Sequence, residues 1–146
     1  RMPLARWAVY RAGVQLYVAP TADDSEGWVA TMRHIAIESG AFVISAPQFI
    51  PGSAFPDDFP LEIDRGTTYG RGGALVADPT SGEVVAGPLY DAEGMVVWDC
   101  DLRRGLHARR VFDVVGHYSR DDLLGVLLDG GGQRAAAHDE RPPVGL

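Results

Sequence analysis

The 146-residue chain reads as an α/β protein. Three features carry that reading. The first 46 residues alternate helix-like and strand-like periods. From residue 72 onward, short apolar runs are separated by turn residues. A proline-rich stretch divides the two regions. Alternating helix and strand implies parallel strands joined by a helical crossover, whereas short runs joined by turns imply an antiparallel meander.

Pro3 to Ala12 is predicted as a helix, with proline tolerated in its first turn and Gly13 to end it. Leu4, Trp7, Ala8 and Arg11 would share one side. Val14 to Ala19, "VQLYVA", is a strand candidate, followed by the polar segment "APTADD", Ala19 to Asp24. Asp24 or Ser25 can cap a second helix, Glu26 to Ser39, in which Trp28, Met32, Ile35 and Ser39 recur at helical spacing. Gly40 would stop it. "AFVISA", Ala41 to Ala46, is short and apolar, as a buried strand should be.

Pro47 to Gly72 holds Pro47, Pro51, Pro56 and Pro60, and is expected to form a long surface loop. "GGALVADP", "VVAGP" and "GMVVWDCDL" (Gly94 to Leu102) then read as three strands of a meander, with turns at Thr80 to Glu83 and Asp91 to Gly94. A short helix is expected from about Leu102 to Val111. Asp121 to Asp129 fits a strand or a short helix equally. Residues 1–129 are taken as one domain portion, and the glycine-, charge- and proline-rich stretch 130–146 as a flexible tail.

The formal net charge is −7, which disfavours a nucleic-acid partner. The basic cluster Arg103, Arg104, Arg109 and Arg110 lies beside Asp99, Asp101 and Asp113, and reads as a solvated helix face or an ion-pair network. No apolar run approaches the ~18 residues that span a bilayer. One cysteine, Cys100, gives no disulfide framework, and a cytoplasmic location is expected.

Few residues look like catalysts by spacing. The four histidines are scattered, so no metal or cofactor is expected. His34 and Glu38, four apart on a helix, read as a local pair. His117 in "DVVGHYS" reads as a structural histidine bonding a backbone carbonyl. "GRGG", Gly70 to Gly73, lacks the lysine and hydroxyl of a phosphate loop and reads as a turn. Cys100, between Asp99 and Asp101, reads as a core or sheet-face residue with a raised thiol pKa and weak nucleophilicity.

Read as a whole, the chain resembles a known family. "MPLARWAVYRAGVQLYVAPTADDSEGWVATMRHIAIESGAFVISAPQF" is similar to the stretch that follows the nucleophile in the nitrilase branch of the carbon–nitrogen hydrolase superfamily. "GRGGALVADPTSGEVVAGPLYDAEGMVVWDCDL" resembles that family's next hairpins, and "FDVVGHYSRDD" its closing motif. The resemblance implies a partial four-layer α-β-β-α sandwich. It also implies hydrolysis of a nitrile to a carboxylic acid and ammonia by a Cys nucleophile, a Glu base and a Lys. None of the three is present here. They are expected upstream of Arg1, the Cys at the N-terminal end of the first helix, where the helix terminus favours a thiolate.

By the same resemblance, Pro20, Thr21, Ala22 and Trp28 would bind substrate at the carboxyl ends of the strands, with Gln48 a weaker candidate. Trp28 fits the helix core equally well, and Asp23 and Asp24 fit a capping role better than a substrate contact. The implied partners are a small nitrile substrate and further copies of the chain, with no nucleic acid and no membrane. Two alternatives to a nitrilase fragment are an assembly fragment without catalysis and an amidase-type member of the superfamily. A small-molecule binding module is the least favoured reading.

Overall fold

The computed structural model describes residues 2–120 and 122–123. The element order is α1 (Pro3–Arg11), β1 (Leu16–Thr21), α2 (Glu26–Ser39), β2 (Phe42–Pro47), β3 (Phe49–Pro51), β4 (Thr68–Ala77), β5 (Val84–Tyr90) and α3 (Arg103–Val111), with a 3-10 turn at Gly52–Ala54. The expected opening helix–strand–helix–strand order is present. β1 and β2 run parallel, from Leu16 opposite Phe42 to Thr21 opposite Pro47, with α2 as the crossover.

β4 is the spine of the sheet. It pairs antiparallel with β2 through Val43 and Ala77, with β3 through Phe49 and Arg71, and on its other side with β5. β2 and β3 meet β4 in one register until a bulge at Ile50 and Pro51, so they form a single line interrupted at Gln48. Five strands thus make one mixed sheet.

Alternation sends Tyr17, Ala19, Val43, Leu75 and Ala77 to one face. There they meet Met32, Ile35 and Ala36 of α2 and Tyr10 of α1 to form the core. Met32 and Ala36 are fully buried, as the helical spacing predicted for that face. Ser25 caps α2, its hydroxyl accepting from the Trp28 N–H at 3.2 Å, and Gly40 closes it with φ 60°, a left-handed conformation natural for glycine. On the opposite face, near the β1 edge, Leu16 and Val18 are 43% and 67% exposed.

Three expectations need correction. First, the side of α1 that carries Leu4, Trp7, Ala8 and Arg11 is not the one that packs: Leu4 and Arg11 are exposed, and the buried residues are Trp7 and Tyr10. Polar contacts set that rotation. The Trp7 indole donates to the Val114 carbonyl at 3.1 Å, and the Tyr10 hydroxyl donates to Glu38 at 2.6 Å. Second, Pro47 to Gly72 is not all loop. β3, the 3-10 turn and the start of β4 lie within it, because Phe49 and Ile50 continue the β2 line and pair with β4. Third, Gly94 to Leu102 forms no strand. Its alternation supplies strand propensity, but a strand needs a neighbour. Among the described residues it has none: Met95 and Val97 point to solvent, 85% and 72% exposed.

α3 forms where a short helix was expected. It docks through Arg104, whose guanidinium donates to the buried Asp78 carboxylate at 2.6 and 3.0 Å. Burial would raise the Asp78 carboxyl, but Arg104 and the Thr80 and Ser81 N–H groups outweigh it and hold it below the usual range. Arg103 pairs with Asp101, and Arg109 donates to the Val14 and Ser39 carbonyls. The basic cluster is therefore largely a docking network, with Asp78 a partner that proximity in sequence did not reveal. Among the described residues no helix is long and apolar enough to cross a membrane. The tail 130–146 and nearly all of Asp121 to Asp129 lie outside the described residues.

Candidate functional site

The parallel pair β1 and β2 puts two strand carboxyl ends, Thr21 and Pro47, side by side. Such ends are where open α/β sheets place ligands. β1 runs further than the sequence indicated: Pro20 and Thr21 lie in the strand, opposite Ala46 and Pro47. Proline is accommodated because β1 pairs on one side only among the described strands.

Beyond Thr21 the chain builds itself on side-chain bonds. The Thr21 hydroxyl accepts the Asp23 N–H at 3.0 Å, and Asp23 accepts both the N–H and the hydroxyl of Ser25. Ser25 caps α2, so Asp23 acts on the cap and Asp24 on something else. The Asp24 carboxylate accepts the Arg71 backbone N–H at 2.8 Å, tying this loop to β4.

Trp28 stands one turn into α2, half-buried. Its indole N–H donates to the Ser45 hydroxyl at 2.8 Å, and Ser45, itself buried, donates to the Ala19 carbonyl at 3.0 Å. The ring is thereby fixed over the ends of β1 and β2. Trp28 also walls a cavity of about 240 Å³ between α1, β1 and α2, together with Val9, Tyr17, Ala19, Met32 and Ile35. The cavity wall is mainly apolar, with Arg6 at one side.

Of the predicted site residues, Trp28 alone lines this cavity. Thr21 shares its sheet face through the alternation of β1, whereas Pro20 points to the opposite face and Ala22 is exposed in the loop. Gln48 is exposed, and its carbonyl accepts the Gly72 N–H at 3.1 Å. A second cavity of about 250 Å³ lies beside Pro47, Phe49, Gly72, Leu89 and Glu93. Sequence reasoning missed Ser45 and Arg71. Ser45 left a signal, as the one hydroxyl inside the apolar run "AFVISA". Arg71 left none, because its neighbours come from distant loops.

The network beneath the cavity joins α1 to α2. Glu38 accepts from Tyr10 at 2.6 Å and from Arg6 at 3.2 Å, and His34 lies 3.5 Å away, as its spacing predicted. Burial works to raise the Glu38 carboxyl, but Tyr10 and Arg6 overcome it and hold it low. The Tyr10 phenol moves the other way, pushed well up by burial and by Glu38. Cys100 is half-buried, and burial together with Asp99 pushes its thiol up. It lies outside any strand, so the sheet-face reading of Cys100 is corrected, while its raised pKa is as expected.

His117 is exposed, with its ring 4.2 Å from that of Tyr118. Among the described residues, no three His, Cys, Asp or Glu side chains gather to hold a metal ion.

A mixed sheet with two helices on one face, a polar loop at the strand ends and a tryptophan over them makes up the described frame. The chain belongs to the carbon–nitrogen hydrolase family, whose model matches residues 1–110. It is 45% identical over 136 residues to Nitrilase 1 of Arabidopsis thaliana, covering 88% of this chain and 39% of that protein. It is equally identical, over 130 residues, to an aliphatic nitrilase of Sinorhizobium fredii, covering 88% of this chain and 42% of that protein. The chain therefore spans about two fifths of the length of these relatives. A carbon–nitrogen hydrolase from Helicobacter pylori G27 shares the fold over 87% of this chain and 45% of its own, with a TM-score of 0.65 and 21% identity.

Proposed function

We propose that this chain is the C-terminal part of a nitrilase-type hydrolase that converts a nitrile to a carboxylic acid and ammonia. Its similarity to nitrilases is the observation that carries the reading. The order of the resembling blocks supports the C-terminal position, since they are those that follow the family's nucleophile. The Cys, Glu and Lys are then supplied by polypeptide outside these residues.

In that reaction the thiolate adds to the nitrile carbon and the nitrogen takes up protons. Water adds, ammonia leaves as the thioester forms, and a second water releases the acid and regenerates the thiol. The Glu moves protons to and from water and nitrogen, and the Lys steadies the charged intermediate. The part of this chain is to shape the cavity. Trp28, held by Ser45, forms a wall of that cavity, and the strand-end segment Pro20, Thr21 and Ala22, which does not line it, stands beside the nucleophile supplied from outside these residues. Cys100 is not the nucleophile. Its thiol is pushed toward the protonated form and donates to the Trp98 carbonyl 4.0 Å away, which is no base.

The exposed sheet face at Leu16 and Val18 supports a further part of the proposal. That face packs against the second sheet of an α-β-β-α sandwich, and the completed protein forms homo-oligomers. A large apolar patch left open tends to drive association.

The test is to assay the complete hydrolase for ammonia released from aliphatic and aryl nitriles, with the matching amides alongside. Release from nitriles supports the reading. Release from amides alone transfers the chain to the amidase side of the superfamily.

A further inference from the structure

The "GRGG" segment, Gly70 to Gly73, is not the turn that its glycines suggested: strand pairing with β3 holds it extended. It lies inside β4, where consecutive backbone groups tie together the ends of three other elements. The Arg71 N–H donates to the Asp24 carboxylate at 2.8 Å, beyond the end of β1. The Gly72 N–H donates to the Gln48 carbonyl at 3.1 Å, at the end of β2. The Arg71 carbonyl accepts the Asp91 N–H at 2.7 Å, just past β5.

The side chains reinforce this junction. The Arg71 guanidinium lies 3.9 Å from the centre of the Tyr90 ring and 3.7 Å from the Asp91 carboxylate. The ring reaches that position because residue 73 is glycine: a Cβ there would stand 2.7 Å from a Tyr90 ring carbon, and φ is 118°. The Arg71 side chain thus serves the β5 end, while its backbone N–H, aimed by the strand, meets Asp24.

We propose that Asp24 and Arg71 are positioning residues: the Asp24 carboxylate clasps the Arg71 N–H and so fixes where the loop Ala22 to Asp24, just beyond the end of β1, stands relative to β4. The clasp acts through backbone placement, not through contact with a reacting group. It is a feature of this chain in its own right, and its consequence for substrate binding rests on the nitrilase reading above.

Two measurements test it. In this chain, amide hydrogen exchange is followed for Asp24→Ala and Asp24→Asn. The Ala variant should exchange the Arg71 amide at least tenfold faster, with the Val43 to Ser45 ladder amides unchanged. The Asn variant keeps an oxygen acceptor without charge and should return exchange to within about threefold of the unmodified chain. In the complete hydrolase, the Ala variant should raise KM for a nitrile at least fivefold with kcat within twofold, and the Asn variant should restore it.

Unchanged Arg71 exchange in the Ala variant overturns the clasp. So does an Asn variant no better than Ala, which would assign Asp24 to the charge at the α2 N-terminus instead. A complete hydrolase that never turns over nitriles overturns the nitrilase reading, and leaves exchange alone to decide the clasp.

Discussion

The Trp28 indole N–H donates to the Ser45 hydroxyl at 2.8 Å, and this one bond joins the crossover helix to the neighbouring strand. Ser45 passes it on to the Ala19 carbonyl, so helix, β2 and β1 are held at the strand ends by a single hydroxyl. Ser45→Ala removes the acceptor of the indole N–H and one of the donors to that carbonyl. An unmet buried polar group costs about 1–3 kcal/mol, so the urea midpoint should fall accordingly. Trp28 emission should shift to the red as the ring loosens. An unchanged midpoint and spectrum would mean that packing alone holds the ring.

The Glu38 network makes stability depend on pH from both sides. The folded Glu38 carboxyl is held low, so its contribution is present above about pH 4.3 and is lost as pH falls through the folded value. The folded Tyr10 phenol is held high, so its contribution is present below about pH 10 and is lost as pH rises through the folded value. Denaturation across the pH range should therefore show a plateau between these limits. Tyr10→Phe should remove the alkaline decline attributable to this group and cost about 1.5–3 kcal/mol on the plateau, as expected for a hydrogen bond to a charged partner. Glu38→Gln should soften the acid decline.

Cys100 should react slowly. Its thiol is raised by burial and by Asp99, so alkylation by iodoacetamide near pH 7 should lag behind free cysteine. The rate should keep climbing above about pH 8.5, where a free thiol levels off. Rapid labelling at neutral pH would count against its inert role.

The apolar sheet face should make the isolated chain associate. Val18 is 67% exposed on the β1 edge. Val18→Lys should shift sedimentation toward the monomer while leaving the melting midpoint within a few degrees, because the site is not buried within this chain. If the unmodified chain sediments as a clean monomer, the face needs no cover.

Much of this was legible in residues with local rules. The Met32, Ile35 and Ser39 spacing gave the buried face of α2, and Ser25 and Gly40 gave its ends. The parallel pair followed from the order of elements. What failed was whatever depended on a distant partner. "GMVVWDCDL" has the alternation of a strand, but no pattern within it could show that no strand among the described residues lies beside it. Phe49 and Ile50 were hidden among prolines, though they continue β2 against β4. Tyr10 was overlooked because Glu38, its partner, lies 28 residues away. The proposed rim came only from the resemblance: of Pro20, Thr21, Ala22 and Trp28, periodicity alone pointed to Trp28, and it pointed there as core.

The central claim is that the reacting thiol belongs to polypeptide outside these residues. It is tested most directly by incubating this purified chain, alone, with aliphatic and aryl nitriles and measuring ammonia. The account predicts release no faster than the uncatalysed background, and the same result for Cys100→Ala. Nitrile hydrolysis above background by this chain, abolished in Cys100→Ala, would contradict it.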